Sequence, residues 1–239
     1  MTDPLPAAQS DAVASLRERK KRQTRATIAA TATDLFSRHG FESVTVEQVA
    51  RAAGVSRQTI FNYFATKEEM LFDRDHEVLA ALLDAIANRG ERSLVDVFRA
   101  HTIAFWERIG AAAAPATRPH AASATRAPAA PAIGAPGAPA IGAAEFWTVV
   151  RPSPALRDHA EVVFARHARA VAAALAGERG LPEDDPSCHV AARVLCAVNA
   201  AVLTCGLGRL AKGAAPAAVA EEMIVEAHSA YDLIEPGMR

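Results

Sequence analysis

Four polar side chains sit within seven residues of one another, and their types suit hydrogen bonding to base edges or phosphates. They are Arg57, Gln58, Asn62 and Tyr63. Helical spacing turns Ile60 and Phe64 to one side of this stretch and leaves the polar groups facing outward, where a guanidinium, amides and a phenol can donate and accept. Arg57 has the geometry for a guanine.

Such a reading face needs a short helix held at a fixed angle, and the preceding residues supply one. Thr45 with Gln48 three residues later is a capping-box start, and Val46, Val49, Ala50 and Ala53 follow at the spacing of one helical face. Gly54 supplies the left-handed turn that stops this first helix, Val55 fills the corner, and Ser56 caps the second helix. The pattern is a helix-turn-helix. Thr66-Lys67-Glu68-Glu69 reads as a second capping box and puts Lys67 in the first turn of the next helix.

From Arg25 to Leu71, with TVEQVARAAGVSRQTIFNYFATKEEML carrying the match, the chain resembles the TetR family of transcriptional regulators. The resemblance implies an all-α protein: an N-terminal three-helix DNA-binding domain, then a larger helical domain for effector binding and dimerisation. It assigns Thr45 and Lys67 to phosphates, and Arg57, Gln58, Thr59, Asn62 and Tyr63 to the major groove, with Ser56 among the DNA-binding residues. Many members carry Tyr where Phe61 stands and His where Tyr63 stands, so Phe61 brings no phosphate-binding hydroxyl.

Composition agrees with a local nucleic-acid contact. The chain has 239 residues, 22% of them charged, and a formal net charge of −1, unlike a protein that coats nucleic acid indiscriminately. The charge is divided: Arg17 to Arg74 carries eleven Lys and Arg against seven Asp and Glu, whereas fifteen face eighteen from Asp75 onward. A basic first module beside a mildly acidic remainder is the footprint of DNA contact at one end.

In order, residues 1–15 are expected to form a flexible tail, 16–66 the DNA-binding domain, and 67–239 the ligand-binding and dimerisation domain. Arg17, Arg19, Lys20, Lys21, Arg22 and Arg25 lead into a helix with Ile28, Ala32, Leu35 and Phe36 on its apolar face, and could form an arm onto phosphates or the minor groove. A single long helix is expected from Lys67 to near Gly90, and another from Ser93 to Ile109. Residues 110–144 are almost all Ala, Pro, Gly, Ser and Thr, repeat Ala-Pro-Ala-Ile-Gly-Ala, and are expected to be a mobile insertion. Helices follow at 145–150, from Ser153-Pro154 to Gly177 or Gly180, from Ser187 to about Lys212, and from Pro216 to Ile234. The apolar stretch Val194 to Gly208 is shorter than a membrane span and reads as a buried helix. The first residues lack a signal-peptide pattern, so a cytoplasmic location is expected.

No nucleophile elbow, phosphate-cradling glycine loop or His-Glu-x-x-His pattern appears, so neither catalysis, a cofactor nor a metal is expected. In the family resembled, the C-terminal helices enclose an effector pocket and the last two pair in a homodimer. Phe105, Trp106, Phe146, Trp147 and Phe164 are candidates to line such a pocket, with His101, His167 and Asn199 as polar contacts. The expected function is a repressor that binds a palindromic operator as a homodimer and is released by a small molecule. The alternative is a thiol-based redox-sensing regulator using Cys188, Cys196 and Cys205.

Overall fold

The computed structural model describes residues 7–113 and 143–238, which are helical with short connections and contain no strand. The expected insertion therefore lies mostly outside the described residues. The chain divides into two compact units between Asp73 and Arg74.

The N-terminal unit holds α1 (Ala7–His39), α2 (Val46–Ala52), α3 (Arg57–Tyr63) and α4 (Lys67–Leu71). Of the apolar side chains the periodicity placed together, Ile28, Ala32, Phe36, Val49, Ile60 and Phe64 are buried and Leu35 is half-buried; Met70 joins them, and Phe36 and Phe41 meet edge to face at 5.0 Å. The expected tail is corrected in part, because α1 already begins at Ala7 and the basic run from Arg17 to Arg22 lies within the helix, exposed.

A second correction concerns the helix expected from Lys67 to Gly90. It is two helices, α4 and α5 (Asp75–Ala87), separated at Phe72 to Arg74. Side chains at the break are committed to opposite neighbours: Asp73 accepts from Arg25 at 2.5 Å, while Arg74 pairs with Glu77. The compact units part here, seven residues beyond the expected boundary.

The C-terminal unit holds α5, α6 (Leu94–Ala113), α7 (Ala143–Val150), α8 (Pro154–Arg179), α9 (Pro186–Leu210) and α10 (Pro216–Ile234), closed by a 3-10 turn at Glu235–Gly237. Ser153 caps α8 by accepting from the Leu156 N–H, and Gly180 ends it at φ 64°. Asp185 caps α9 through the Ser187 and Cys188 amides. On α10 the helically spaced stripe of Val219, Met223, Ala227 and Tyr231 is buried.

Gly110, expected to open the insertion, stays inside α6. A Cβ there would lie 3.2 Å from the Ala220 Cβ, so the glycine serves the close crossing of α6 and α10. Gly206 of α9 is tighter still: an added Cβ would come within 2.3 Å of the Trp106 ring and 2.6 Å of Met223. The expectation of a buried α9 holds for one face only. Cys188, Ala192, Leu195, Val202 and Gly206 are buried, whereas Val190 is 61% exposed. Only 28% of the most apolar 18-residue window of α9 is buried, although the helix is long and apolar enough to cross a membrane.

Candidate nucleic-acid interface

The reading face rests on two caps and a turn. Thr45 and Gln48 make the reciprocal box, with the Thr45 N–H donating to Gln48 Oε1 at 2.7 Å and the Gln48 N–H to Thr45 Oγ1 at 3.2 Å. This uses a lone pair of Oγ1 and leaves the hydroxyl proton to donate outward to an anion. Gly54 turns the chain at φ 67°, and the Val55 N–H returns to the Ala50 carbonyl at 3.0 Å. Ser56 Oγ then accepts from the Thr59 N–H at 2.9 Å and shares a 2.8 Å hydrogen bond with the Thr59 hydroxyl.

Helix α3 is seven residues long and is seated by Ile60, with Phe64 buried where it ends. That burial fixes the rotation of the helix and exposes Arg57, Gln58 and Asn62, with Thr59 and Tyr63 half-buried at its margins. Gln58 Nε2 donates to Asn62 Oδ1 at 3.2 Å, aligning two amides along the exposed stripe. Arg57 Nη1 lies 2.9 Å from Glu47 Oε1, and its guanidinium stands 5.4 Å from the Phe61 ring. Both ion-pair partners are mostly exposed, so the pair is worth at most about 1 kcal/mol and yields to a stronger acceptor. Phe61 is itself 41% exposed, an apolar patch within the polar stripe.

Lys67 is placed differently from a simple phosphate ligand. Its Nζ donates to the Phe41 carbonyl at 2.9 Å and the Val44 carbonyl at 3.1 Å, and lies 3.9 Å from the Phe41 ring centroid. Two of its three N–H groups thus secure the corner between α1 and α2, and one is left over. The second capping box is also displaced. Thr66 caps α4 as expected, but Glu69 accepts from the Ala65 N–H rather than from Thr66.

Two residues important to this face were not legible as such. Arg25, read as one of a basic run, clasps the unit: Nε donates to Asp73 Oδ1 at 2.5 Å, Nη1 to the Tyr63 carbonyl at 2.6 Å, and the guanidinium covers the Phe64 ring at 4.4 Å. Glu47 is the resting partner of Arg57. No local pattern announces either contact, because each joins separate helices.

The candidate pocket residues all belong to the C-terminal unit, but they do not form one uniform lining. Trp106 is fully buried against Gly206 and meets Phe105 edge to face at 5.1 Å. Asn199 Oδ1 is 2.7 Å from Thr102 Oγ1, which also lies 2.9 Å from the Tyr231 hydroxyl, so Asn199 ties α9 to α6 and α10. His167 Nε2 is 2.7 Å from Asp75 Oδ1. His101, Phe146, Trp147 and Phe164 are half-buried. Burial, with the charges of Arg108 and His167, pushes His101 down to about 4 and keeps it neutral at pH 7.

The three cysteines all lie on α9, eight and nine residues apart. Their Cα atoms are therefore about 12 Å apart or more along the helix, too far for an internal disulfide. Cys188 is buried, and burial pushes Cys196 up to about 11, away from thiolate character.

Residues 28–73 match the family described as bacterial regulatory proteins, tetR family. MftR of Mycobacterium tuberculosis, named as a transcriptional regulator of mycofactocin biosynthesis, is 39% identical over 90 residues, covering 36% of this chain and 44% of that protein. The transcriptional regulator TcmR of Streptomyces glaucescens is 41% identical over 81 residues, covering 33% of this chain and 36% of its own. The chain thus spans less than half the length of the curated relatives it matches. Among solved structures, NalD, the secondary repressor of the MexAB-OprM multidrug efflux pump in Pseudomonas aeruginosa, aligns over 87% of this chain and 96% of its own with a TM-score of 0.50. At 16% identity that likeness is one of fold.

Proposed function

Residues 28–73 belong to the TetR family of bacterial regulatory proteins, and from that premise we propose that the chain is a one-component transcriptional repressor. It binds a near-palindromic operator as a homodimer and leaves it when a small molecule binds the C-terminal unit. The observation that carries this reading is the exposed stripe of Arg57, Gln58 and Asn62 on a helix seated by Ile60 and ended at buried Phe64. Arg57 reads a guanine, the paired amides read neighbouring base edges, and Thr45, Ser56, Thr59, Tyr63 and the remaining Lys67 proton serve phosphates or the groove wall. The exposed basic turns of α1 add affinity that is blind to sequence.

The homodimer is supported by the open faces of the last two helices. Val190, Ala197, Ala201 and Cys205 form an exposed stripe on α9, and Val225 and Leu233 on α10 are 65% and 84% exposed. Pairing these faces buries apolar surface that water otherwise covers, and the small side chains on α9 permit close approach. Two recognition helices then fall about one DNA turn apart, roughly 34–36 Å. An effector that reverses a 99:1 preference must discriminate between the two dimer states by about 5.5 kcal/mol. The protein acts in the cytoplasm, where its operator is, and no reaction is assigned to it.

The test is selection of duplexes from a random pool by the purified protein, followed by anisotropy titration of the enriched sequence against random competitor at moderate salt, with sedimentation to count protomers. A symmetric site bound by two protomers is expected. Equal affinity for the enriched and random duplexes would overturn the reading.

A further inference from the structure

The basic run of α1 ends at Arg25, and the fold treats that residue differently from the others. Arg17, Arg19, Lys20, Lys21 and Arg22 are exposed, whereas Arg25 is half-buried against the end of the recognition helix. Its Nη1 donates at 2.6 Å to the carbonyl of Tyr63, the last residue of α3. Its guanidinium covers the ring of Phe64 at 4.4 Å, where the chain leaves the helix in extended conformation. Its Nε donates at 2.5 Å to Oδ1 of Asp73, whose side chain is 15% exposed.

Helix α3 has seven residues, so about two turns hold its angle. The first turn is tied by the Ser56 cap, and Ile60 seats the middle. The last turn carries Asn62 and Tyr63 and ends on carbonyls that have no partner within the helix. A cation on one of those carbonyls is favourable twice, as a charge-assisted hydrogen bond and against the negative end of the helix dipole. A guanidinium is a rigid planar fork, so the acceptor at Nε fixes where Nη1 points. Asp73 therefore aims Arg25, and Arg25 holds the last turn of α3 to α1, a helix of 33 residues.

We propose that Arg25 is a positioning residue for operator recognition rather than a phosphate ligand: aimed by Asp73, it holds the last turn of α3 at the angle from which Asn62 reads its base edge. The inference rests on the operator-binding reading above and adds to it two residues that touch no DNA. Its sign is opposite to that of charge alone. Neutralising Asp73 takes a negative group out of the DNA-binding unit, which by charge would tighten binding to any duplex, whereas loss of the clasp weakens the specific complex.

Anisotropy titration of the full chain and its variants with the enriched duplex and with random duplex, across a salt series and beside thermal melts, tests it. The ratio of the two affinities decides, because a smaller folded fraction lowers both alike and leaves their ratio unchanged. Asp73→Asn and Arg25→Gln should each lower that ratio roughly 10-fold, Arg25→Lys nearly as far because its point charge has no fork, and the double variant no further than either single one. Selection with Asp73→Asn should lose preference at the base pairs that Asn62→Ala loses and keep the guanine that Arg57→Ala loses. Arg22→Gln, from the exposed run, should instead weaken both duplexes alike and lower the salt slope by about one, a slope that Arg25→Gln leaves in place. If Arg25→Gln does not fold, the isosteric Asp73→Asn decides. An unchanged ratio in folded Asp73→Asn, tighter binding of both duplexes by it, or an Arg25→Gln that behaves as Arg22→Gln does would overturn the proposal. A parent chain that binds both duplexes equally removes the operator reading and this proposal with it, whereas a discriminating parent beside an unchanged Asp73→Asn removes the clasp alone.

Discussion

The two compact units fasten their polar groups in different ways. In the N-terminal unit the hydrogen bonds that shape the reading face mostly join residues three or four apart, as in Thr45 with Gln48, Ser56 with Thr59, Gln58 with Asn62 and Thr66 with Glu69. In the C-terminal unit they cross the chain: Arg89 to Glu178, Asp75 to Arg166 and His167, Arg99 to Asp232 and Glu235, and Thr102 to Asn199 and Tyr231. Local grammar sets the first unit, whereas the second acquires its polar interior only when distant helices meet. Substitutions in the first should therefore act on recognition or on one helix end, and those in the second on the whole unit.

The largest effect is expected at Gly206→Ala. The added Cβ meets the buried Trp106 ring, which has no room to withdraw, and a loss of about 3 kcal/mol should appear in urea unfolding followed by tryptophan fluorescence. Both tryptophans, Trp106 and Trp147, belong to the C-terminal unit, so the signal reports that unit alone. A loss below about 0.5 kcal/mol would mean that the crossing of α6 and α9 is loose.

Acid should distinguish the units next. The unfolded chain protonates His101 near 6.5 and the folded chain only near 4, so this stabilisation is complete above pH 6.5 and declines as pH falls between those values. From pH 7.5 to 5 the C-terminal unit should lose about 2 kcal/mol through His101, and His101→Gln should flatten that limb. Asp75, with its lowered value, contributes its own loss only further into acid. An unchanged limb in the variant would assign the acid sensitivity elsewhere.

Arg57→Ala sharpens the comparison from the other side. Operator binding should weaken by roughly 1–3 kcal/mol and preference relax at one base pair, while stability moves by less than about 0.5 kcal/mol, since only an exposed pair with Glu47 is lost. Ser56→Ala should cost about 1 kcal/mol through the lost cap of α3, visible as fraying of that helix in amide exchange. The smallest change is at Gly208→Ala, where nothing lies within 4 Å of the new Cβ, and a helical position gains about 0.5–1 kcal/mol in the same urea assay.

How much was legible in the sequence follows the same division. The caps at Thr45, Ser56, Thr66 and Ser153, the prolines opening α8 and α10, and the buried stripe of α10 all depend on neighbours within a turn or so, and the helices form where those residues place them. Gly110 misled because a helix breaker in isolation is also the residue that lets two helices touch. The break at Phe72 to Arg74 was hidden because Asp73 and Arg74 are ordinary helix residues until Arg25 and Glu77 claim them. On α9, Ala, Val and Cys surround the helix so evenly that periodicity selects no single inward face, and Val190 lies on the open side. Of the candidate interface, residue types were readable but Glu47 and Arg25 were not. Of the candidate pocket, residue types were readable but their partners, Asp75 for His167 and Thr102 for Asn199, were not.

Helix α1 runs for 33 residues, about 50 Å, and its turns around Arg17 to Arg22 carry basic side chains at helical neighbours such as Arg17 with Lys20 and Arg19 with Arg22. Like charges so placed repel by a few tenths of a kcal/mol per pair, which makes this end a short polyelectrolyte rod that winds against its own field. Ionic strength then pulls in two directions at once: added salt relaxes the repulsion and tightens the winding of the rod, while it erodes the counterion release by which the same side chains would hold a duplex.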